Sequence, residues 1–446
     1  MELKRKIYDD LKKWKDTWNG KSAVLIEGAR RVGKTFIVKK FAESEYKSYV
    51  YIDFAHPSKE IIDLFENDSY ELDYFFELLS IYTKKQLYKR NTLIIFDEVQ
   101  IYPKARQLIK YLVEDGRYDY IETGSLITLK KNVESIVIPS EELHITMYPL
   151  DFEEFMWAMG DSVTISFIKK SYDNMKPLGV LHRKIMSVFR QYMLVGGMPQ
   201  AVEEYIITKD LNKVDLIKRR ILTLYREDVP KFAKGYESKV LGIFDNIPAQ
   251  LSRHEKKFKL SSIKKDARFR EYEDSFMWLK EAEIVNLCFN TTDPNIGLSL
   301  NMLQNTLKCY MADTGLLFSL ALSSKKLIDE NVYKNILFDK VGINEGMFFE
   351  NIVAQMLSTL GDDLFFYSHY DKEVSANRIE IDFLIQRKGK ICPIEVKSAS
   401  YKKHASLDKF INKFGRRLGK KYIIYTKDLK VEDDIIYLPV YMTMFL

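Results

Sequence analysis

Cysteine is scarce: the 446-residue chain has three, Cys288, Cys309 and Cys392, and no two of them form a CxxC pair. That spacing excludes a disulfide framework and a thiolate zinc site. Six scattered histidines form no ligand pattern either and read as structural or surface residues. No apolar run approaches the roughly 18 residues that a membrane span needs. The opening stretch, "MELKRKIYDDLKKWKD", is charged with a helical period, unlike a secretory leader, so a cytoplasmic location is expected. Glycine (19) and proline (11) are sparse, which leaves room only for short linkers. Neither internal repeats nor low-complexity tracts interrupt the chain. Hydrophobic residues at 46% and charged residues at 30% fit a soluble globular protein. The length fits about two to four domains. A net charge of +6 is mild, so the placement of charge matters more than its total.

Up to about residue 160, short apolar runs ("AVLIEG", "YVYIDF", "TLIIFDE", "YDYIETGS") alternate with amphipathic helical stretches. Such alternation predicts a parallel sheet with helices packed on it. From 161 to 335 the pattern is mostly helical, and from 336 to 446 a helix leads into a second mixed α/β unit. The expected division is therefore 1–160, 161–335 and 336–446.

"GARRVGKT", 28 to 35, has the spacing of a phosphate-binding loop, with a strand before it and an amphipathic helix after it. Gly28 and Gly33 let the backbone curl so that successive N–H groups point at a β-phosphate. Lys34 can reach the β- and γ-phosphates, Thr35 can ligate Mg²⁺, and the helix N-terminus adds a positive dipole. "TLIIFDEVQ", 92 to 100, supplies the complementary acids. Asp97 would hold Mg²⁺, and Glu98 would orient and deprotonate an attacking water, which favours hydrolysis of ATP over transfer to a metabolite. Ser125, at the end of a further strand, is a candidate sensor of the γ-phosphate.

The run "GARRVGKT", "LIIFDEVQ", "ETGS" and "MYPLDFEEF" resembles a widespread prokaryotic AAA-type ATPase. In that family a P-loop domain precedes a domain of unknown function and a nuclease-like C-terminus. "VGGMPQAV" (195–202), "YREDVPKFA" (225–233) and "YMADTGLL" (310–317) extend the resemblance over nearly the whole chain. It implies ATP and Mg²⁺ as ligands, and it leaves room for a homo-oligomer without fixing a ring, a dimer or a monomer. Two departures stand out. Ala29 replaces the usual proline, and the Gly-Arg pair before "PLDFEEF" is missing, which leaves Arg117 and Arg226 as candidates for an assisting arginine.

In the middle segment, "KKFKLSSIKKDARFR" (256–270) carries seven Lys/Arg against one acid. It precedes an apolar-periodic stretch, "YEDSFMWLKEAEIVNLCF", that reads as a helix with Phe276 and Trp278 in its core. A short helix, a longer helix and a strand pair would follow a winged-helix order, which family members are similar to. A basic stripe there could track DNA phosphates or could be a solvated face.

"IEIDFLIQRKGKICPIEVKS" (379–398) reads as a hairpin turning at Gly389. A turn centred between Lys388 and Gly389 sets Asp382 opposite Glu395 and Glu380 opposite Lys397, all on one face. Such charges desolvate poorly in a plain core. A divalent cation chelated by Asp382 and Glu395 would relieve them, with Lys397 positioning water near a phosphodiester. The Asp, then Glu-x-Lys spacing resembles the PD-(D/E)xK nuclease superfamily, and Glu350 matches the extra acid such restriction-endonuclease-like folds often use. A degenerate nuclease fold, or a salt-bridged hairpin, carries the same residues. Residues 386–421 hold twelve Lys/Arg and two acids, which suits a nucleic-acid backbone. The expectation is an ATPase whose nucleotide state controls a DNA-binding, nuclease-like tail. The alternative is a scaffold ATPase whose tail only binds nucleic acid or protein.

Overall fold

The computed structural model describes residues 2–67, 71–124, 140–253, 255–323, 345–370, 378–398 and 401–446. They fall into two compact units, one of residues 2–148 with 281–283, the other of 149–280 with 284–446.

The first unit runs α1 (Ile7–Trp18), β1 (Ala23–Glu27), α2 (Lys34–Glu45), β2 (Ser48–Asp53), α3 (Lys59–Asn67), α4 (Leu72–Thr83), β3 (Thr92–Asp97), α5 (Pro103–Asp115), β4 (Asp119–Thr123) and β5 (Glu142–Thr146). Its strands form one parallel sheet in the order β2-β3-β4-β1-β5. Every residue of β1, β3 and β4 is buried. The reason is cover on both faces. Leu25, Ile94 and Phe96 pack with Leu64, Phe75 and Ile109 of α3, α4 and α5. Val24, Ile26 and Ile95 pack on the other face with Leu11, Trp14, Ile37 and Phe41 of α1 and α2. Two-sided burial is what turns strand sequences into continuous apolar runs.

β5 has no such run, and its register on β1 is accompanied by charge pairing. Glu142 takes a two-pronged contact from the buried Arg106 of α5 (3.1 and 2.7 Å). His144 lies 3.4 Å from Glu27 and 3.5 Å from Glu142. Those two carboxylates raise the His144 imidazole to about 9. A raised histidine stabilises the fold fully below its unfolded value, near 6.5, and that stabilisation is lost as pH rises through about 9. The melting temperature is expected to decline between pH 7 and 9.5, and His144→Gln to flatten that decline in a thermal scan. An unchanged slope in the variant would remove His144 from the effect.

The second unit runs α6 (Phe152–Ala158), α7 (Thr164–Asp173), α8 (Val180–Val195), α9 (Pro199–Thr208), α10 (Leu211–Phe232), α11 (Glu237–Leu251), α12 (Glu273–Glu281), β6 (Val285–Thr291), β7 (Met302–Met311), α13 (Thr314–Ala321), α14 (Glu345–Thr359), β8 (Leu364–His369), β9 (Ile379–Arg387), β10 (Lys390–Val396), α15 (Ala405–Phe414), β11 (Lys421–Tyr425), β12 (Lys430–Glu432) and β13 (Ile435–Pro439). Its eight strands make one mixed sheet, β12-β13-β11-β10-β9-β8-β6-β7. The strand pair expected in the middle of the chain therefore joins the C-terminal strands through β6 and β8.

One expectation is corrected here. The stretch read as a single helix from 272 to 289 splits: α12 stops at Glu281, Glu283 takes a left-handed φ of 55°, and β6 begins at Val285. Phe276 and Trp278 are buried in α12 as expected. Beyond the break, Ile284 and Val285 are β-branched and pairing with β7 favours the strand. Residues 256–270 carry only short 3₁₀ turns.

The β9–β10 hairpin has the expected register, with Lys390 opposite Arg387 through Ile394 opposite Phe383. Lys388 (φ 50°) and Gly389 (φ 71°) are both left-handed, the signature of a two-residue type I′ turn.

The motifs "PLDFEEF", "VGGMPQ" and "ADTGLL" meet in one polar knot. Asp151 caps α6 with a reciprocal Glu154 contact. Leu150 N–H donates to the Gly197 carbonyl at 2.7 Å. Gly197 N–H donates at 2.6 Å to buried Asp313, which also accepts the Leu316 N–H at 2.8 Å and so caps α13. From α14, Gln355 accepts from Thr314 at 2.8 Å and Asn351 accepts the Met311 N–H at 2.8 Å. These motifs hold the helices to the sheet rather than framing a cleft.

Candidate functional site

The first unit places its candidate residues at the ends of β1, β3 and β4, where neighbouring parallel strands stop at the same level. β4 lies between β1 and β3. The loop from β1 therefore meets the acids from β3 across the tip of β4.

Gly28 opens the loop at φ 149°, and a Cβ there would sit 2.3 Å from the Met147 carbonyl. Only glycine fits that approach. Gly33 (φ 102°) ends the loop at the N-terminus of α2 and has no side chain to cap it. The first-turn N–H groups of α2 are thus left for an anion. Lys34 is buried and donates to the carbonyls of Gly28 (2.8 Å) and Ala29 (3.2 Å). Burial pulls its ammonium below the usual lysine range, while Glu98 and Asp97 pull the other way.

Asp97 is buried at the end of β3 and is held from three sides. Thr35 donates to it at 2.9 Å, Tyr51 at 2.5 Å, and the Thr123 hydroxyl also donates. Thr35 and Asp97 were expected from the sequence; Tyr51 was not. It sits on the neighbouring strand, which only the β2–β3 register brings alongside. Glu98 follows in a left-handed conformation, φ 53°, that turns it out of the strand, and Gln100 donates to its carboxylate. The adjacent hydroxyl of Thr35 and carboxylate of Asp97 are the oxygen donors a nucleotide-bound Mg²⁺ uses, so this pair fits that ion. Ser125 lies outside the described residues. Arg117 is engaged by Asp115 (2.8 Å) and Asp73 (2.6 Å), and Arg226, in the second unit, by Asp245 (2.7 Å).

In the second unit Glu350 and Glu395 are buried and Asp382 partly so, but a lysine stands beside Glu350 and Asp382. Lys308 of β7 places its ammonium 3.0 Å from Glu350, 3.5 Å from Asp382 and 3.7 Å from Glu380. Lys256, from the basic run, pairs with the other Glu350 oxygen, and Tyr310 donates to Glu350 as well. Burial alone would raise Glu350; Lys256 and Lys308 outweigh it and hold the carboxyl at about 2. Burial and Glu350 raise Asp382, whose Oδ2 accepts the Val396 N–H at 2.9 Å. Lys397 is paired with Glu395 at 2.6 Å. A Mg²⁺ held by Glu350, Asp382 and Glu395 was expected here; among the described residues no group of three or more His, Cys, Asp or Glu side chains is arranged to hold a metal ion. The lysines that neutralise the acids come from 94 and 42 residues upstream of Glu350, so sequence spacing could not reveal them.

Of the basic residues between 386 and 421, Lys388, Lys390, Lys402, Lys403, Lys409, Lys413, Arg416, Arg417 and Lys420 are exposed. Arg387, Arg417 and Lys421 are taken up by Asp362, Asp293 and Asp434. Lys264, Lys265, Arg268 and Arg270 are exposed in the earlier basic run. Among the described residues no helix is long and apolar enough to cross a membrane.

Three stretches of the chain match family models. Residues 20–156 match the family model of an AAA domain, residues 186–326 that of a domain of unknown function (DUF8612), and residues 345–442 that of another (DUF4143). No curated protein matches the chain. Solved structures similar to it include the Walker-type ATPase PABY2304 of Pyrococcus abyssi, at 14% identity and a TM-score of 0.40, covering 72% of this chain and 96% of that one. Another is the Drosophila ORC bound to DNA, at 12% identity and a TM-score of 0.29, covering 71% of this chain and 94% of that one. Both likenesses are loose, and they say nothing of what this chain binds. The match over 20–156 makes that stretch of the first unit similar to an AAA domain.

Proposed function

We propose, with the AAA-type domain as the premise, that the chain binds and hydrolyses ATP and that its nucleotide state governs a nucleic-acid-binding second unit. The observation that carries the first part is the contact of Thr35 with Asp97 beside the buried Lys34. In this reading the loop N–H groups and Lys34 hold the β- and γ-phosphates, so the developing charge meets donors already in place. Thr35 and Asp97 hold Mg²⁺, which would neutralise phosphate charge when bound with ATP. Glu98, steadied by Gln100, accepts the proton of the attacking water. Replacing Glu98 with glutamine keeps the shape and removes the base. Hydrolysis should fall roughly 10²–10⁴-fold while ATP binding persists. Loss of binding and turnover together would deny Glu98 this role.

The exposed lysines and arginines of 264–270 and 388–420 support contact with a phosphate backbone. ATPase rate measured with and without DNA tests the coupling: a change in rate is expected, and indifference to DNA at every salt concentration would leave only the ATPase. The lysine-filled acid cluster favours the alternative for the tail, binding without cutting. Plasmid incubated with Mg²⁺ or Mn²⁺ is expected to stay intact.

A further inference from the structure

Three carboxylates from two elements, Glu350 of α14 and Glu380 and Asp382 of β9, are collected around a single point in the second unit. That point is filled by the Nζ of Lys308. The lysine is embedded in the fold: its side chain is 1% exposed, and its backbone pairs with Cys288 in the β6–β7 ladder. Its Cα cannot shift while that ladder stands. Around it the remaining oxygens are in use. Glu350 spends one oxygen on Lys308 and Tyr310 and the other on Lys256, while Asp382 spends its second on the Val396 N–H. One buried oxygen, Glu395 Oε2, has no hydrogen-bond partner, and its mate is held by Lys397.

We propose that Lys308 is a tethered stand-in for a cation, its ammonium taking the place of a divalent metal and closing this acid cluster to one. The chemistry supports the substitution. Buried carboxylates at such separations need a positive charge among them, and either a metal or a fixed ammonium supplies it. An ammonium gives charge and three donors but cannot polarise a phosphodiester or lower the pKa of a bound water as a metal does. The cluster then serves to bind β7, α14 and β9 into one body, with Lys256 drawing the basic segment onto the same acids. The inference is independent of the ATPase reading, since it concerns only these residues.

The test is Mn²⁺ uptake by the nucleotide-free full chain, read from the electron paramagnetic resonance signal of free Mn²⁺. Wild type and Asp382→Asn are expected to take up the same amount, because no Asp382-dependent site exists. Lys308→Ala is expected to gain one further site and to melt several degrees higher with Mn²⁺ than without. Adding Asp382→Asn to it should remove both gains. A site in wild type that disappears with Asp382→Asn would overturn the proposal, as would a folded Lys308→Ala with no gain. Should Lys308→Ala not fold, the pair of wild type and Asp382→Asn decides alone, equal uptake supporting the proposal and unequal uptake overturning it.

Discussion

Replacing Lys34 with alanine is expected to abolish phosphate release, by on the order of 10³-fold or more. The side chain is buried at the loop and already aimed inward, donating to the Gly28 and Ala29 carbonyls. An ammonium held that way can turn to a triphosphate without travelling. Its charge matters most as the γ-phosphoryl group departs, when negative charge shifts onto the bridging oxygen. Surrounding groups do not replace it. Thr35 is neutral, and Asp97 and Glu98 are acids that would repel an uncompensated phosphate. The variant should stay folded, because alanine is a good helix former at the first position of α2. Melting temperature close to wild type alongside lost turnover is therefore the expected pair of results. Turnover that survives intact would place the chemistry elsewhere.

Gly197→Ala is expected to cost roughly 3 kcal/mol or more of stability. A Cβ at that position would lie 2.2 Å from the Leu150 carbonyl oxygen and 2.7 Å from the Leu150 nitrogen. Both are backbone atoms, and both are fixed, since the same stretch bonds Leu150 N–H to the Gly197 carbonyl and Gly197 N–H to Asp313. Relieving the clash means opening the knot, which strands Asp313 in a buried site. A fall in melting temperature of roughly 5–10 °C follows for a unit of this size. Gly415→Ala is the control: Gly415 has an ordinary helical φ of −44°, and a Cβ there meets nothing within 4 Å. That variant should melt within about 2 °C of wild type. Equal melting of the two variants would mean that the close approach at Gly197 relaxes freely.

What could be read in the sequence was local. Gly28 to Thr35 span one loop and the first turn of α2, so their chemistry depends on neighbours along the chain, and the flanking strand and helix are written in apolar runs. The β9–β10 register followed from Gly389, because a two-residue turn leaves no freedom in what faces what. β5 was missed because "ELHIT" has no apolar run; only Leu143 and Ile145 pack on the core, and charge pairs with Glu27 and Arg106 stand beside them. The break at Glu283 was hidden because Ile284, Val285, Leu287 and Phe289 continue an apolar pattern that either element could bury. Lys308 shows the limit most clearly. Charge repulsion within "IEIDFLIQ" and "PIEVKS" calls for a cation, but spacing along the chain could not show that Lys308 of β7 stands beside Glu350 and Asp382. Lys256, part of the basic stripe that could track DNA or be a solvated face, pairs with Glu350.

Calorimetric titration of the full chain with Mg²⁺ and a slowly hydrolysed ATP analogue reaches the loop at Gly28–Thr35 most directly. Uptake of one nucleotide per chain, weakened at least tenfold by Thr35→Ala, is expected. No uptake, or uptake indifferent to Thr35, would contradict the assignment of this loop as the triphosphate site.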